Sequence, residues 1–227
     1  MVWTLIASAV AAADEPSRST MIIPGAGIVN VQTSSVLDEK FVNIVRQTTD
    51  YSCGASAVAT ILRYAYNQPA TEANTIRGLL FVSDPATVRQ RGFSLLDIKH
   101  YVQSLGYAGS GYHLPIESLY AVKVPTIVLM SVDNFQHFVV LKKATPEYVY
   151  LADPMLGNRR VDTQAFAKAW DGIIFVIASS GYDRNNSLLA LEAPLPLDTI
   201  SSSLPSATLA LSNAELMSIY IPAMNRI

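Results

Sequence analysis

Gln47-Thr48-Thr49-Asp50-Tyr51-Ser52-Cys53-Gly54-Ala55-Ser56-Ala57-Val58 sets the only cysteine of the chain at the head of its most apolar helical stretch. From Gly54 to Asn67 the polar residues Ser56, Thr60, Arg63 and Asn67 recur at helical spacing on one narrow stripe. The remaining faces are apolar, which predicts a mostly buried helix. Ser52 is the expected N-cap, so Cys53 falls in the first turn, where unpaired backbone N–H groups and the positive end of the helix dipole stabilise a negative sulfur. Gly54 leaves the approach to that sulfur open. Six residues upstream, Gln47 offers a neutral amide donor for a developing oxyanion.

A lone cysteine among small helical residues is ordinarily an inert core residue. A catalytic thiol requires a base, and the base requires an orienting partner. The stretch Gln136 to Asp153 supplies both. If two strands turn about Thr145, residues whose numbers sum to about 290 by that reading face each other, pairing Leu141 with Val149, Val139 with Leu151, and His137 with Asp153. Directly opposed residues lie about 5 Å apart at Cβ, close enough for the carboxylate to orient the imidazole. The same register aims His137 toward whatever Val139 and Leu141 pack on, expected to be the Cys53 helix. A slip of one residue would abolish the pairing.

Half of the 227 residues are hydrophobic and 15% are charged, so the chain is long and apolar enough for a substantial core. A net charge of −2 without a basic cluster gives no reason to propose nucleic acid. One cysteine excludes an intrachain disulfide framework and a cysteine-rich zinc site, and the three scattered histidines argue against any metal cage. His100 lies beside Lys99 and Gln103, off the apolar stripe of its helix, and His113 lies in a Gly-Tyr-His-Leu-Pro loop; both read as bystanders. No cofactor is called for.

The organisation reads in four parts. Residues 1–13 form an apolar run ending in three alanines, the pattern of a secretory signal, although no Lys or Arg precedes it. The run is too short to span a bilayer, so no stable membrane insertion is expected after its removal. Residues 14–40 read as a loop-like extension broken by Pro16, Pro24, Gly25 and Gly27; Gly25-Ala26-Gly27 lacks the context of a dinucleotide fingerprint. Residues 41–180 make the main domain. Helices are expected from Thr71 to Phe81, capped by Thr71, and from Ser94 to Gly106, with Leu95, Ile98, Val102 and Leu105 on the buried stripe. β-Branched runs follow at Pro125–Met130, Phe138–Leu141, Tyr148–Leu151 and Gly172–Ile177, with a short helix from Asp162 to Trp170 before the last. Helices first and strands later predict an α+β fold in which an antiparallel sheet packs on N-terminal helices. Residues 181–227 form an extension with a polar start and prolines among serines, too apolar for a solvated linker and expected either to dock back or to fray.

Gln47 with Cys53-Gly54, then His137-Phe138-Val139-Val140-Leu141, Asp153-Pro154 and Trp170-Asp171-Gly172, resembles the bacteriocin-processing, double-glycine peptidase family of papain-like cysteine proteases, over roughly residues 41–180. The resemblance implies a papain-like cysteine peptidase fold with Cys53 as nucleophile, His137 as general base and acid, Asp153 as orienting residue and Gln47 as oxyanion donor. Loss of that donor would then cost on the order of a hundredfold to a thousandfold in turnover. A stand-alone exported member of this length is similar to the periplasmic peptidases of functional-amyloid secretion systems. This implies a periplasmic endopeptidase whose polypeptide partner is an amyloid subunit, a secretion-pore component or a leader peptide. The chain departs from transporter-fused members, since it carries no phosphate-loop motif. Relatives that have lost the cysteine only bind peptide, so a non-catalytic peptide-binding or export-escort module on the same fold is the alternative. An acyltransferase using the same three residues is a third.

Overall fold

Helix α1, Cys53–Ala65, is buried along almost its whole length, with Ala55, Ala57, Val58, Ala59 and Ala65 closed to solvent. Small residues let neighbouring elements approach its backbone closely, and one face of the sheet is laid against it. The structure is a computed structural model that describes residues 18–23, 27–32, 39–132 and 135–190. Residues 1–39 and 40–227 form two units. The expected signal segment and most of the C-terminal extension lie outside the described residues.

In the first unit, β1 (Arg18–Ile23) pairs antiparallel with β2 (Gly27–Gln32), Arg18 opposite Gln32 and Ile23 opposite Gly27. The loop expected over 14–40 is corrected there. Pro24 and Gly25 read as breakers, but they stand between two runs rich in β-branched residues, which is how a hairpin turn is also spelled.

In the second unit, α2 (Glu72–Leu80) and α4 (Leu95–Ser104) start where expected. Thr71 with Asn74, and Ser94 with Asp97, form reciprocal capping boxes. Ile98 and Val102 are buried as the stripe requires, whereas Leu105, past the end of α4, is 46% exposed and Tyr101 takes the buried place instead. Helix α3 (Pro85–Arg91) was not expected. Only Val88 on it is buried, so it has no apolar stripe, and its signal lies in the Asp84 cap and Pro85 at the first position.

Strands β3 (Ala108–His113), β4 (Thr126–Val132), β5 (Phe135–Ala144), β6 (Tyr148–Asp153), β7 (Gly157–Asp162) and β8 (Trp170–Ala178) form one antiparallel sheet in the order β3-β8-β4-β5-β6-β7. Helix α5 (Thr163–Ala169), capped by Asp162, joins β7 to β8. The two edge strands escaped the sequence reading. On β3 only Gly109 is buried, so no period-two pattern exists, and the loop assigned to His113 is corrected to the end of this strand.

The sheet separates two apolar clusters. Ile127, Leu129, Phe138, Val140 and Phe175 face α1, while Val128, Met130, Val139, Leu141 and Ile174 pack with Phe166 of α5 and Trp170. Packing on α1 continues past the last strand: the Asp183 N–H donates to the Ala65 carbonyl at 2.9 Å, and Leu188 is fully buried. Leu188→Ala is therefore expected to cost about 2–4 kcal/mol in denaturant unfolding, the usual penalty for emptying a closed leucine site.

Candidate active site

The nucleophile segment and the sheet meet at Gly54. A Cβ built there would stand 3.1 Å from Phe138 Cδ2 and 3.4 Å from Ile98 Cδ1. Gly54 thus serves close approach of helix and strand, not the open access to sulfur expected from the sequence. Cys53, the first residue of α1, directly precedes this contact, and its side chain interacts with that of His137. Cys53 is 7% exposed.

His137 and Asp153 do meet, but not in the expected register. Val140 pairs with Ala152 and Leu141 with Leu151, giving sums of about 292 by simple addition; beyond a bulge at Lys142, Lys143 pairs with Tyr150 and Ala144 with Val149. The turn is built on Thr145 to Tyr148, closed by the Thr145 N–H on the Tyr148 carbonyl at 2.8 Å, with Pro146 inside it. A turn of this size moves the pairing by two or three residues, and the bulge absorbs one. A net shift of two preserves which face each side chain takes. His137 and Asp153 become diagonal neighbours instead of opposed ones, still within reach of an imidazole and a carboxylate. His137 Nε2 lies 2.8 Å from Asp153 Oδ1. The expectation that Val139 and Leu141 pack on the Cys53 helix is also corrected: they lie in the cluster with Phe166 and Trp170, and Phe138 and Val140 face α1.

Asp153 is fully buried. Its Oδ1 also accepts the Met155 N–H at 2.9 Å and the Leu156 N–H at 3.1 Å. With Oδ1 an acceptor throughout, Nε2 carries the proton in that contact, and the His137 side chain also interacts with that of Cys53. Arg159 Nε stands 3.0 Å from Asp153 Oδ2 as an ion pair whose alignment falls short of a hydrogen bond. Sequence reasoning missed Arg159 because β7 was not recognised; the hairpin closing on Met155 and Leu156, with Leu151 opposite Arg159, is what places it there. Gly157 in that turn has φ +87°, and a Cβ on it would sit 2.6 Å from the Lys40 carbonyl oxygen, so only glycine fits.

The electrostatics follow from this packing. Burial by itself pulls the His137 pKa down, but the charge of Asp153, its hydrogen bond and the contact with Cys53 outweigh that effect and leave it well above the ordinary value. Burial by itself raises the Asp153 carboxyl, but the His137 charge and hydrogen bond, with Arg159 and the Met155 N–H, hold it below the ordinary carboxylate range. The imidazolium form is therefore favoured beside an ionised carboxylate.

Gln47 is buried, and its backbone N–H donates to the carbonyl of Pro154, the residue after Asp153, at 3.0 Å. Its Nε2 lies 3.3 Å from the Thr49 carbonyl, while Oε1 has no hydrogen-bond partner among the described residues. Ser52 holds the expected N-cap position and Cys53 the first turn, but the Ser52 side chain makes no cap hydrogen bond. His100 and His113 are exposed. Among the described residues no group of three His, Cys, Asp or Glu side chains is placed to hold a metal ion, and no helix is long and apolar enough to cross a membrane.

The chain is similar to several known proteins. The probable functional amyloid protease FapD of Pseudomonas aeruginosa is 46% identical over 173 residues, 76% of each chain. The protein of the same description from Pseudomonas fluorescens is 41% identical over 177 residues, 78% of each. The peptidase domain of Streptococcus ComA, a bifunctional ABC transporter of a quorum-sensing pathway, shares the fold with a TM-score of 0.50 at 19% identity, over 60% of this chain and 96% of that one. The model of the peptidase C39 family matches residues 41–181, and the chain belongs to that family.

Proposed function

We propose that this protein is a cysteine endopeptidase in which Cys53 is the nucleophile, His137 the general base and acid, Asp153 the residue that orients and charges the imidazole, and Gln47 an oxyanion donor. The observation that carries the reading is the 2.8 Å contact of His137 Nε2 with Asp153 Oδ1 in a ring that also interacts with Cys53 at the start of α1. His137 takes the Cys53 proton. The thiolate attacks the scissile carbonyl carbon, and the π electrons move onto oxygen, held by the Gln47 amide and the Cys53 backbone N–H. As the tetrahedral adduct collapses, the C–N bond breaks and His137 protonates the leaving amine. Water then gives a proton to His137 and attacks the thioester, the C–S bond breaks, and the carboxylate leaves with the thiol restored.

The substrate is an exported polypeptide cut in the periplasm, an amyloid subunit or a component of its secretion pore. The description of the Pseudomonas relatives as functional amyloid proteases supports this class. The shallow exposure of Cys53 favours a second reading, a peptide-binding or export-escort module that leaves the thiol unused. Iodoacetamide at near-neutral pH separates the two. Selective labelling of Cys53 faster than free cysteine, lost on His137→Ala, is the expected result. A thiol that reacts no faster than free cysteine, or is indifferent to that substitution, leaves only the binding module.

A further inference from the structure

Resting on the peptidase reading, we infer that Glu72 is a positioning residue for the oxyanion side of the site, acting through the loop that joins Gln47 to Cys53. Glu72 is the first residue of α2 and is 8% exposed. Its Oε1 accepts the Thr48 backbone N–H at 2.7 Å and lies 2.5 Å from Ser52 Oγ, and its Oε2 accepts the Thr48 hydroxyl at 2.6 Å. Thr48 follows Gln47 in the chain and Ser52 precedes Cys53. One carboxylate thus grips the loop at both ends, next to the proposed donor and next to the nucleophile.

Two further observations separate this from ordinary support of a helix. An acidic residue in a first turn usually serves its own helix, but α2 is already capped by Thr71 and Asn74, and the Glu72 carboxylate is spent on another segment. Burying a carboxylate is costly unless its lone pairs are filled, so an apolar residue would hold the helix at least as well. The effect on Ser52 completes the case. Drawn to Glu72, and 2.7 Å from the Thr49 carbonyl, its hydroxyl makes no cap bond to α1. The first N–H groups of the Cys53 helix are thereby kept clear of the Ser52 hydroxyl, as the proposed oxyanion role of the Cys53 N–H requires.

Two small reagents divide the roles. Iodoacetamide alkylates sulfur by displacing iodide and forms no oxyanion, whereas p-nitrophenyl acetate acylates it through a tetrahedral oxyanion. For Glu72→Ala the acylation rate is expected to fall roughly tenfold to a hundredfold, with the alkylation rate and its pH profile within about twofold of wild type, because the Cys53–His137 contact is untouched. Glu72→Gln keeps the acceptor for the Thr48 N–H and should restore part of the loss. Thr48→Val, which removes one bond and keeps the carboxylate, should show the same split to a smaller degree, and with Glu72→Gln it decides the matter if Glu72→Ala does not fold. Parallel loss of both reactions, or unchanged acylation, in variants of an active wild type overturns the role of Glu72 alone. A wild-type thiol inert to both reagents overturns the peptidase reading, and the role of Glu72 with it.

Discussion

With Cys53 replaced by alanine, the new N-terminus that the wild-type protein generates on its secreted substrate disappears, and turnover falls to background, on the order of a millionfold below wild type, the usual penalty for removing a covalent nucleophile. Mass spectrometry of secreted proteins from wild-type and Cys53→Ala cells reads this directly. The expectation is steep because no described side chain near residue 53 offers a substitute thiol: Cys53 is the only cysteine of the chain. Cys53→Ser is the sharper control. It keeps a nucleophilic atom at the head of α1, but the site is poised around an imidazolium, and a serine hydroxyl is too weak an acid to supply the matching anion. A serine variant within tenfold of wild type, or a substrate N-terminus that persists in the alanine variant, would show that cleavage belongs to another protein.

The parts of this site that were legible in the sequence are those written in side chains with a period. Helix α1 was readable from its apolar faces, α2 and α4 from their caps, and the central strands from β-branched runs. The pairing of His137 with Asp153 was foreseen through a register that the structure corrects. The forecast survived because the error was an even number of residues, and an even shift keeps both side chains on their face. The size of the turn around Pro146 and the bulge at Lys142 are backbone events with no side-chain periodicity to announce them. Arg159 and Glu72 were illegible for a different reason. Each reaches the site across tertiary structure, Arg159 from an unrecognised edge strand and Glu72 from a helix 19 residues beyond the cysteine by sequence count, roughly one short helical hairpin away. Gly54 shows the opposite failure. Its smallness was noticed, but smallness alone does not say whether the space is kept for a substrate or filled by Phe138.

Asp153→Asn is expected to lower turnover on the order of a hundredfold to ten-thousandfold while leaving Cys53 in place, and to move the pH profile in a direction the packing dictates. The asparagine oxygen can still accept the Met155 and Leu156 N–H groups and the His137 Nε2–H, so the ring keeps its position. Its charge is gone, however. Burial, which opposes the imidazolium, is then no longer outweighed, and the His137 pKa drops from well above its ordinary 6.5 toward or below that value. The alkaline limb of kcat/KM, set by loss of the imidazolium proton, moves to lower pH and the active range narrows from that side. The new amide nitrogen also faces Arg159 Nε, donor against donor, and leaves a largely buried cation without its partner. Stability follows the same signs. In the wild type the raised His137 contributes fully below its unfolded pKa and loses that contribution as pH rises through the folded one, while the lowered Asp153 contributes above its ordinary 3.8 and loses it as pH falls through the folded value. Asp153→Asn removes the contribution of the raised His137, so its unfolding midpoint should depend less on pH at the alkaline end. A variant with wild-type kcat/KM and an unmoved alkaline limb would mean that Asp153 holds the β6–β7 turn and does not charge the imidazole.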